Sequence, residues 1–267
     1  MLYQPRVALH SLELDGVEAL LRWRRADGQL VSPEEFLSVA ERSGLILELG
    51  DFVLQAAVEQ AAAWRRSGWS DARVAVNVAA EQLIAGGFAA RVEHCLARAR
   101  LPARALELEI AEAALDTGPH TIATVARLRE QGVEIALDEF GTGAASLMRL
   151  ERLPLSRVKI DRTLIGEVDS NPRVAAVVRS IIRLCDDLAL RVIALGVERA
   201  SQLQALTGHG PLSIQGYWLA RPMPGPDLLL WRATAREHLE SLAHSETPVR
   251  RAAVVALGVA RRGRRRG

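Results

Sequence analysis

Aromatic residues are scarce in this chain, at 4% of 267 residues. Its core must therefore be filled by small and branched aliphatics, which suit packed α/β layers. Cysteine is scarcer still. Cys95 and Cys185 stand far apart without CxxC spacing, which excludes a disulfide framework and reads as two free thiols. The six histidines show no ligand spacing, so a His-based zinc centre is excluded as well. No apolar run approaches the roughly 20 residues that span a bilayer; Ala252 to Ala260 is apolar but too short. No secretory signal opens the chain, and a cytoplasmic location is expected. No GxGxxG follows the first strand-like segment, which weakens the case for an open dinucleotide-binding sheet.

The formal net charge is +2, yet Arg250, Arg251, Arg261, Arg262, Arg264, Arg265 and Arg266 all lie near the end. Without those seven the remainder stands at −5. A mildly acidic body argues against a nucleic-acid-binding face. Residues 246–267 are expected to form an Arg-rich, partly disordered tail behind a domain of residues 1–245. The bland reading of the tail is a solvated charged end. The sharper one is a contact with anionic lipid or nucleic acid, and lipid is the only route by which a membrane would enter.

What is present is alternation. Short β-branched runs occur at Tyr3–Leu9, Val17–Trp23, Arg73–Val78, Ala105–Ile110, Val133–Leu137, Arg157–Ile160, Arg191–Ala194 and Leu212–Gln215. Helical stretches such as Pro33–Ser43, Gly50–Ser67, Ile122–Gln131 and Val174–Asp187 separate most of them, and Ala233 to Ala243 fits one more helix. Ser32-Pro33 marks a helix start, with serine as cap and proline first. The first two runs are joined by a short link and predict a hairpin. Eight strands in a chain near the usual 250 residues predict a closed (β/α)₈ barrel, with an open doubly wound sheet as rival.

In such a barrel the carboxyl ends of the strands meet at one mouth. Polar residues sit at those ends: Glu18, Asn77, Glu109 with Glu112, Asp138 with Glu139, Lys159, Glu198 and Gln215. One strand-end acid is usually solvated, but a recurrence over seven strands is hard to assign to chance. Glu18, Asn77, Glu109 and Asp138 offer only oxygen donors, which suit Mg²⁺ or Mn²⁺ rather than Zn²⁺.

These segments carry a resemblance. Glu18-Ala19-Leu20-Leu21-Arg22-Trp23, Tyr3-Gln4-Pro5, Val74 to Val78, Leu106 to Glu112, Asp138-Glu139-Phe140-Gly141-Thr142-Gly143, Lys159-Ile160-Asp161, Gly196-Val197-Glu198 and Gln215-Gly216-Tyr217 resemble, in order, the motifs of the EAL domain family. The resemblance runs from about Leu2 to Leu230. It implies a modified TIM barrel with the first strand antiparallel. It also implies metal-dependent hydrolysis of cyclic di-GMP to its linear dinucleotide. Carried over by position, Glu18, Asn77, Glu109 and Asp138 hold one Mg²⁺ or Mn²⁺, and Asp138 with Glu139 a second. Lys159 orients water or phosphate. Gln4, Leu20, Arg22 and Gln215 line the nucleotide site, and Glu112 braces the loop that starts at Asp138. The family usually has a helix before the strand containing Gln4. Its lack here reads as a shortened start or a module of a larger signalling protein, regulated by a partner or through a homodimer built on the loop after Asp138.

The pattern is broken near the second metal. Position 139 is Glu where the family has Asp, an extension of about 1.5 Å against a metal-distance tolerance of about 0.2 Å. Leu195 stands where the family has Glu, and losing a general base costs about 10²–10⁴ in rate. Glu198 is the candidate substitute. Ala144-Ala145-Ser146 replaces Tyr-Ser-Ser, and Ala111 replaces Thr. Three functions remain open: a receptor that binds cyclic di-GMP with little or no hydrolysis, a working phosphodiesterase, or a protein-interaction module that binds no nucleotide.

Overall fold

The computed structural model describes residues 1–142, 150–151 and 153–245. The tail 246–267 and the Ala144-Ala145-Ser146 segment lie outside the described residues. Eight strands close into a barrel: β1 (Leu2–Ala8), β2 (Leu14–Leu20), β5 (Val74–Val78), β6 (Leu106–Ala111), β7 (Glu134–Phe140), β8 (Arg157–Ile160), β9 (Arg191–Leu195) and β10 (Leu212–Gln215). The order around the barrel is β1-β10-β9-β8-β7-β6-β5-β2. β1 runs antiparallel to both neighbours, and every other adjacent pair is parallel. The expected closed barrel with a reversed first strand is the observed one.

All eight sequence-predicted strands are present, two of them with unchanged bounds. The run Val17–Trp23 is divided. β2 ends at Leu20, and Trp23–Arg24 (β3) pairs instead with Leu30–Val31 (β4) in a separate small hairpin. Asp27-Gly28 makes its turn: Gly28 has φ of 87° and the Asp27 carboxylate accepts from the Gln29 N–H at 2.9 Å.

Helix Pro33–Ser43 starts on Ser32, and the Glu35 carboxylate reaches back to the Ser32 N–H at 3.4 Å. Four other helices begin earlier than the sequence predicts, the last of them running Gly225–Ser245. Pro119 and Pro172 open theirs, because a first-turn proline forfeits no hydrogen bond. Gly50 lies inside helix Ile46–Arg66 because a β-carbon there would come within 2.2 Å of the Gln82 amide. That glycine serves a close approach and does not break the helix.

Strand alternation sorts the barrel into two environments. Leu106, Leu108 and Ile110, together with Val74, Val76, Ile135, Leu137, Val158, Ile160, Val192 and Ile214, face the helices and are buried in one hydrophobic cluster. The intervening positions face inward and are mostly polar or charged. The interior of a (β/α)₈ barrel is ordinarily packed with branched aliphatics. Here the apolar core is the jacket between barrel and helices, and the barrel's inside is a polar network.

Candidate functional site

Two polar layers fill the barrel. The layer at the carboxyl ends of the strands is built from Gln4 on β1, Glu18 on β2, Asn77 on β5, Glu109 on β6, Asp138 on β7, Lys159 on β8 and Gln215 on β10. Its hub is Lys159, 1% exposed. The ammonium donates to Glu109 Oε2 at 2.5 Å and Asp138 Oδ2 at 3.1 Å, with Glu18 Oε2 at 3.6 Å. Glu18 is held from two further sides, by Asn77 Nδ2 at 2.8 Å and Gln215 Nε2 at 2.6 Å. Gln215 also donates to Gln4 Oε1 at 3.2 Å, and Gln4 donates to the Ala220 carbonyl at 3.0 Å. Seven of the candidate residues are thus one unit connected by hydrogen bonds and the Lys159–Glu18 ion pair.

The electrostatics follow from packing three carboxylates around one ammonium. Burial works against the charge on Lys159, but Glu109, Glu18 and Asp138 outweigh it and hold its pKa above the ordinary range. Burial also opposes ionisation of Glu18. The Lys159 charge and the hydrogen bonds from Gln215 and Asn77 prevail and set it low. Glu109 goes the other way: burial and the neighbouring Glu18 charge raise it well above the usual carboxylate range, against the pull of Lys159. A buried cluster that splits two carboxyls in this manner stabilises one negative charge more readily than two.

The remaining candidates are not drawn into this unit. Glu139 is exposed, with φ of 58°, and its N–H is bound to Asp138 Oδ1 at 2.8 Å. Glu198 is also exposed, and its N–H donates to Gln202 Oε1 at 2.8 Å. Leu20 ends β2 half-buried. Arg22 follows it, half-buried, and donates to the Leu21 carbonyl at 2.7 Å. Glu112 is half-buried and opens the short helical segment Glu112–Thr117. Leu195 pairs in register with Gln215, and Ile193 with Lys159, so β9 contributes hydrocarbon to an otherwise polar interior.

The expected Mg²⁺ or Mn²⁺ site is overturned. Among the described residues no group of three or more His, Cys, Asp or Glu side chains is arranged to hold a metal ion. Most of the carboxylate oxygens are already engaged: both of Glu18 by side-chain amides, one each of Glu109 and Asp138 by Lys159, and the other of Asp138 by backbone, while Glu109 Oε1 has no hydrogen-bond partner. The acid expected at a second metal, Glu139, is exposed to solvent. A fixed ammonium, not a divalent cation, is what the carboxylates of this mouth are built around.

The deeper polar layer was missed in the sequence. Arg6 on β1 makes a two-pronged contact with Glu107 on β6, at 2.5 and 3.0 Å. Arg157 on β8 reaches Glu107 at 2.8 Å and pairs with Asp15, which also accepts from Ser213 at 2.8 Å. Arg6 Nη1 lies 3.6 Å from Glu109 Oε1 and so links the layers. The signal was available. Leu106-Glu107-Leu108-Glu109 and Arg157-Val158-Lys159 put both polar members of each run on one face.

This combination of fold and mouth defines a class. The profile of the EAL domain matches residues 1–222, and the chain belongs to that family. It is 40% identical over 228 residues to the bifunctional diguanylate cyclase/cyclic di-GMP phosphodiesterase MucR of Pseudomonas aeruginosa, covering 85% of this chain and 33% of MucR. It is 40% identical over 223 residues to the cyclic di-GMP phosphodiesterase NbdA of the same organism, covering 83% of this chain and 28% of NbdA. The chain spans a third or less of the length of these curated relatives. Among solved structures, the PaMucR phosphodiesterase in complex with c-di-GMP superposes with a TM-score of 0.81 at 39% identity, covering 85% of this chain and 92% of that one. The EAL enzyme Bd1971, with cAMP and cyclic di-GMP bound, superposes with a TM-score of 0.82 at 29% identity, covering 86% and 64%. Among the described residues no helix is long and apolar enough to cross a membrane.

Proposed function

We propose that the barrel mouth binds cyclic di-GMP and holds it with little or no hydrolysis, so that the domain acts as a receptor. The observation that carries this reading is the position of Lys159: a buried cation amid Glu18, Glu109 and Asp138. Its ammonium occupies the carboxylates that would otherwise hold a cation, and it supplies no nucleophile. Metal-generated hydroxide is the usual route to such a nucleophile, and the donor set described above does not fit a metal. Leu195 adds apolar surface where the family carries a carboxylate, and Glu139 and Glu198 are exposed. Support for the ligand comes from the PaMucR complex with c-di-GMP, together with Gln4 and Gln215 at the mouth and Arg22 just beyond β2. By position, Gln4, Leu20, Arg22 and Gln215 line the nucleotide and Glu112 braces the loop at its edge.

The test is a calorimetric titration of cyclic di-GMP into the full chain, repeated with Arg22→Ala and Gln215→Ala. The expected result is saturable binding at micromolar protein, weakened about tenfold or more in each variant, which corresponds to about 1.4 kcal/mol. Absence of binding by the unaltered chain would contradict the proposal and favour a domain that works only through protein contacts.

A further inference from the structure

A second concave surface lies on the outside of the barrel, between helix Pro172–Asp187 and the turn that leads from helix Ala200–Leu206 into β10. This cavity measures about 490 Å³, and its lining includes Arg179, Ser180, Arg183, Asp187, Gly208 and His209. Helix Pro172–Asp187 ends close in sequence to the start of β9, and the Gly208–Gly210 turn precedes the start of β10. The cavity therefore belongs to the amino-terminal end of the barrel strands, away from the mouth.

Its lining is unusual for a surface helix. Val178, Ile181, Ile182 and Cys185 form the helix's buried face, which leaves Arg179 and Arg183 exposed, four residues apart and on one side. Like charges at that spacing disfavour a helix. Neither guanidinium has a side-chain hydrogen bond or ion pair among the described residues. The helix dipole does not account for them, because it acts within the last turn and no basic residue lies there.

On the opposite wall the turn is shaped by Gly208 and Gly210, with φ of 84° and 127°. A β-carbon on Gly210 would come within 3.2 Å of Ile182, so the turn is packed hard onto the helix and the width of the cavity is set. His209 lies on that wall. Burial and the Arg179 charge hold its imidazolium below the ordinary range, against the pull of the Ala205 carbonyl. The fixed charges of the lining are two positive against the one negative of Asp187.

We propose that this cavity is a binding site for the phosphate group of a small soluble molecule, gripped by Arg179 and Arg183 from the helix, with His209 on the facing wall. Two guanidinium forks one helical turn apart match the several oxygens of a phosphate, and His209 on the facing wall, its N–H turned to the Ala205 carbonyl, closes the far side of the cavity. The site is separate from the barrel mouth and does not depend on what the mouth binds.

The experiment titrates pyrophosphate into the full chain at constant ionic strength and follows the ring protons of His209 by NMR, assigned with His209→Gln. The expected result is a saturable shift, with affinity weakened about tenfold or more in the Arg179→Gln/Arg183→Gln double variant and in Arg183→Gln alone to a lesser degree. Arg173→Gln, on the same helix but outside the cavity, is expected to change nothing. A linear, non-saturating shift, or one unaltered by the double variant, would overturn the proposal. So would vesicles of anionic phospholipid capturing the chain through Arg179 and Arg183 while pyrophosphate fails to saturate, which would assign the two arginines to a lipid surface.

Discussion

Lys159 Nζ donates to Glu109 Oε2 at 2.5 Å, and this buried pair ties β8 to β6 across the inside of the barrel. The same ammonium reaches Asp138 and Glu18, so one lysine neutralises part of the charge of three strands. Removing it leaves the carboxylates facing one another in a poorly solvated space.

Lys159→Met is therefore expected to cost about 3–5 kcal/mol of stability near neutral pH, as for other buried pairs broken on one side. The penalty should shrink at lower pH, where the stranded carboxylates take up protons. Urea unfolding at about pH 7 and pH 5 checks this. An equal or larger penalty at the lower pH would contradict the account.

The deeper layer makes a separate prediction. Glu107 serves both Arg6 and Arg157, so Glu107→Gln should also cost about 3–5 kcal/mol. Asp15 belongs to the same cluster. Burial opposes its ionisation, yet Arg6 and Arg157 hold its pKa well below the ordinary 3.8. A carboxylate depressed in the folded state contributes stability that is complete above its ordinary pKa and lost as pH falls toward the folded value. The urea midpoint should fall below about pH 4, and Asp15→Asn should flatten that fall. A variant with an unchanged acid profile would remove Asp15 from the explanation.

Glu139 stands in the left-handed region with φ of 58°, exposed and outside the cluster. A non-glycine residue held there costs on the order of 1 kcal/mol. Glu139→Gly should raise stability by about that amount, measured as a shift in the unfolding midpoint, and leave cyclic di-GMP affinity unchanged. A large loss of affinity would show that the Glu139 carboxylate reaches the ligand.

Gly216 follows Gln215 where two backbones cross. A β-carbon there would lie 2.1 Å from the Val197 carbonyl oxygen, and Val197 is fixed by bonds to Gln215 and Trp218. Backbone has no rotamer with which to yield. Gly216→Ala should destabilise by about 2 kcal/mol or more and weaken nucleotide binding through a displaced Gln215. Calorimetric unfolding and titration of one sample read both effects.

The barrel was legible because period-2 alternation and turn residues mark strands well, and Arg157–Ile160 and Leu212–Gln215 kept their bounds. The mouth was legible because strand ends converge in any closed barrel, which joined Gln4, Glu18, Asn77, Glu109, Asp138, Lys159 and Gln215. What occupies that mouth was not legible. Donor types suggested a divalent cation, but the reach of Lys159 into the acids is a property of the folded interior. Glu139 and Glu198 stand outside the cluster for a related reason: adjacency to a strand end says nothing about direction, and at Glu139 the chain turns through a positive φ. Asp15, Glu107 and Arg157 escaped attention because only strand ends were read, although alternation put Glu107 and Arg157 on the same inner face as Glu109 and Lys159.

The central claim is binding without meaningful turnover. Its most direct test is to saturate the full chain with cyclic di-GMP in EDTA by calorimetry, then incubate matched samples at high protein concentration with Mg²⁺ or Mn²⁺ and separate the nucleotides chromatographically. Binding that persists in EDTA, with no linear dinucleotide in any sample, is the predicted result. Linear product formed with either cation would contradict it, and would mean that Lys159 gives way to a metal that this arrangement of carboxylates does not accommodate.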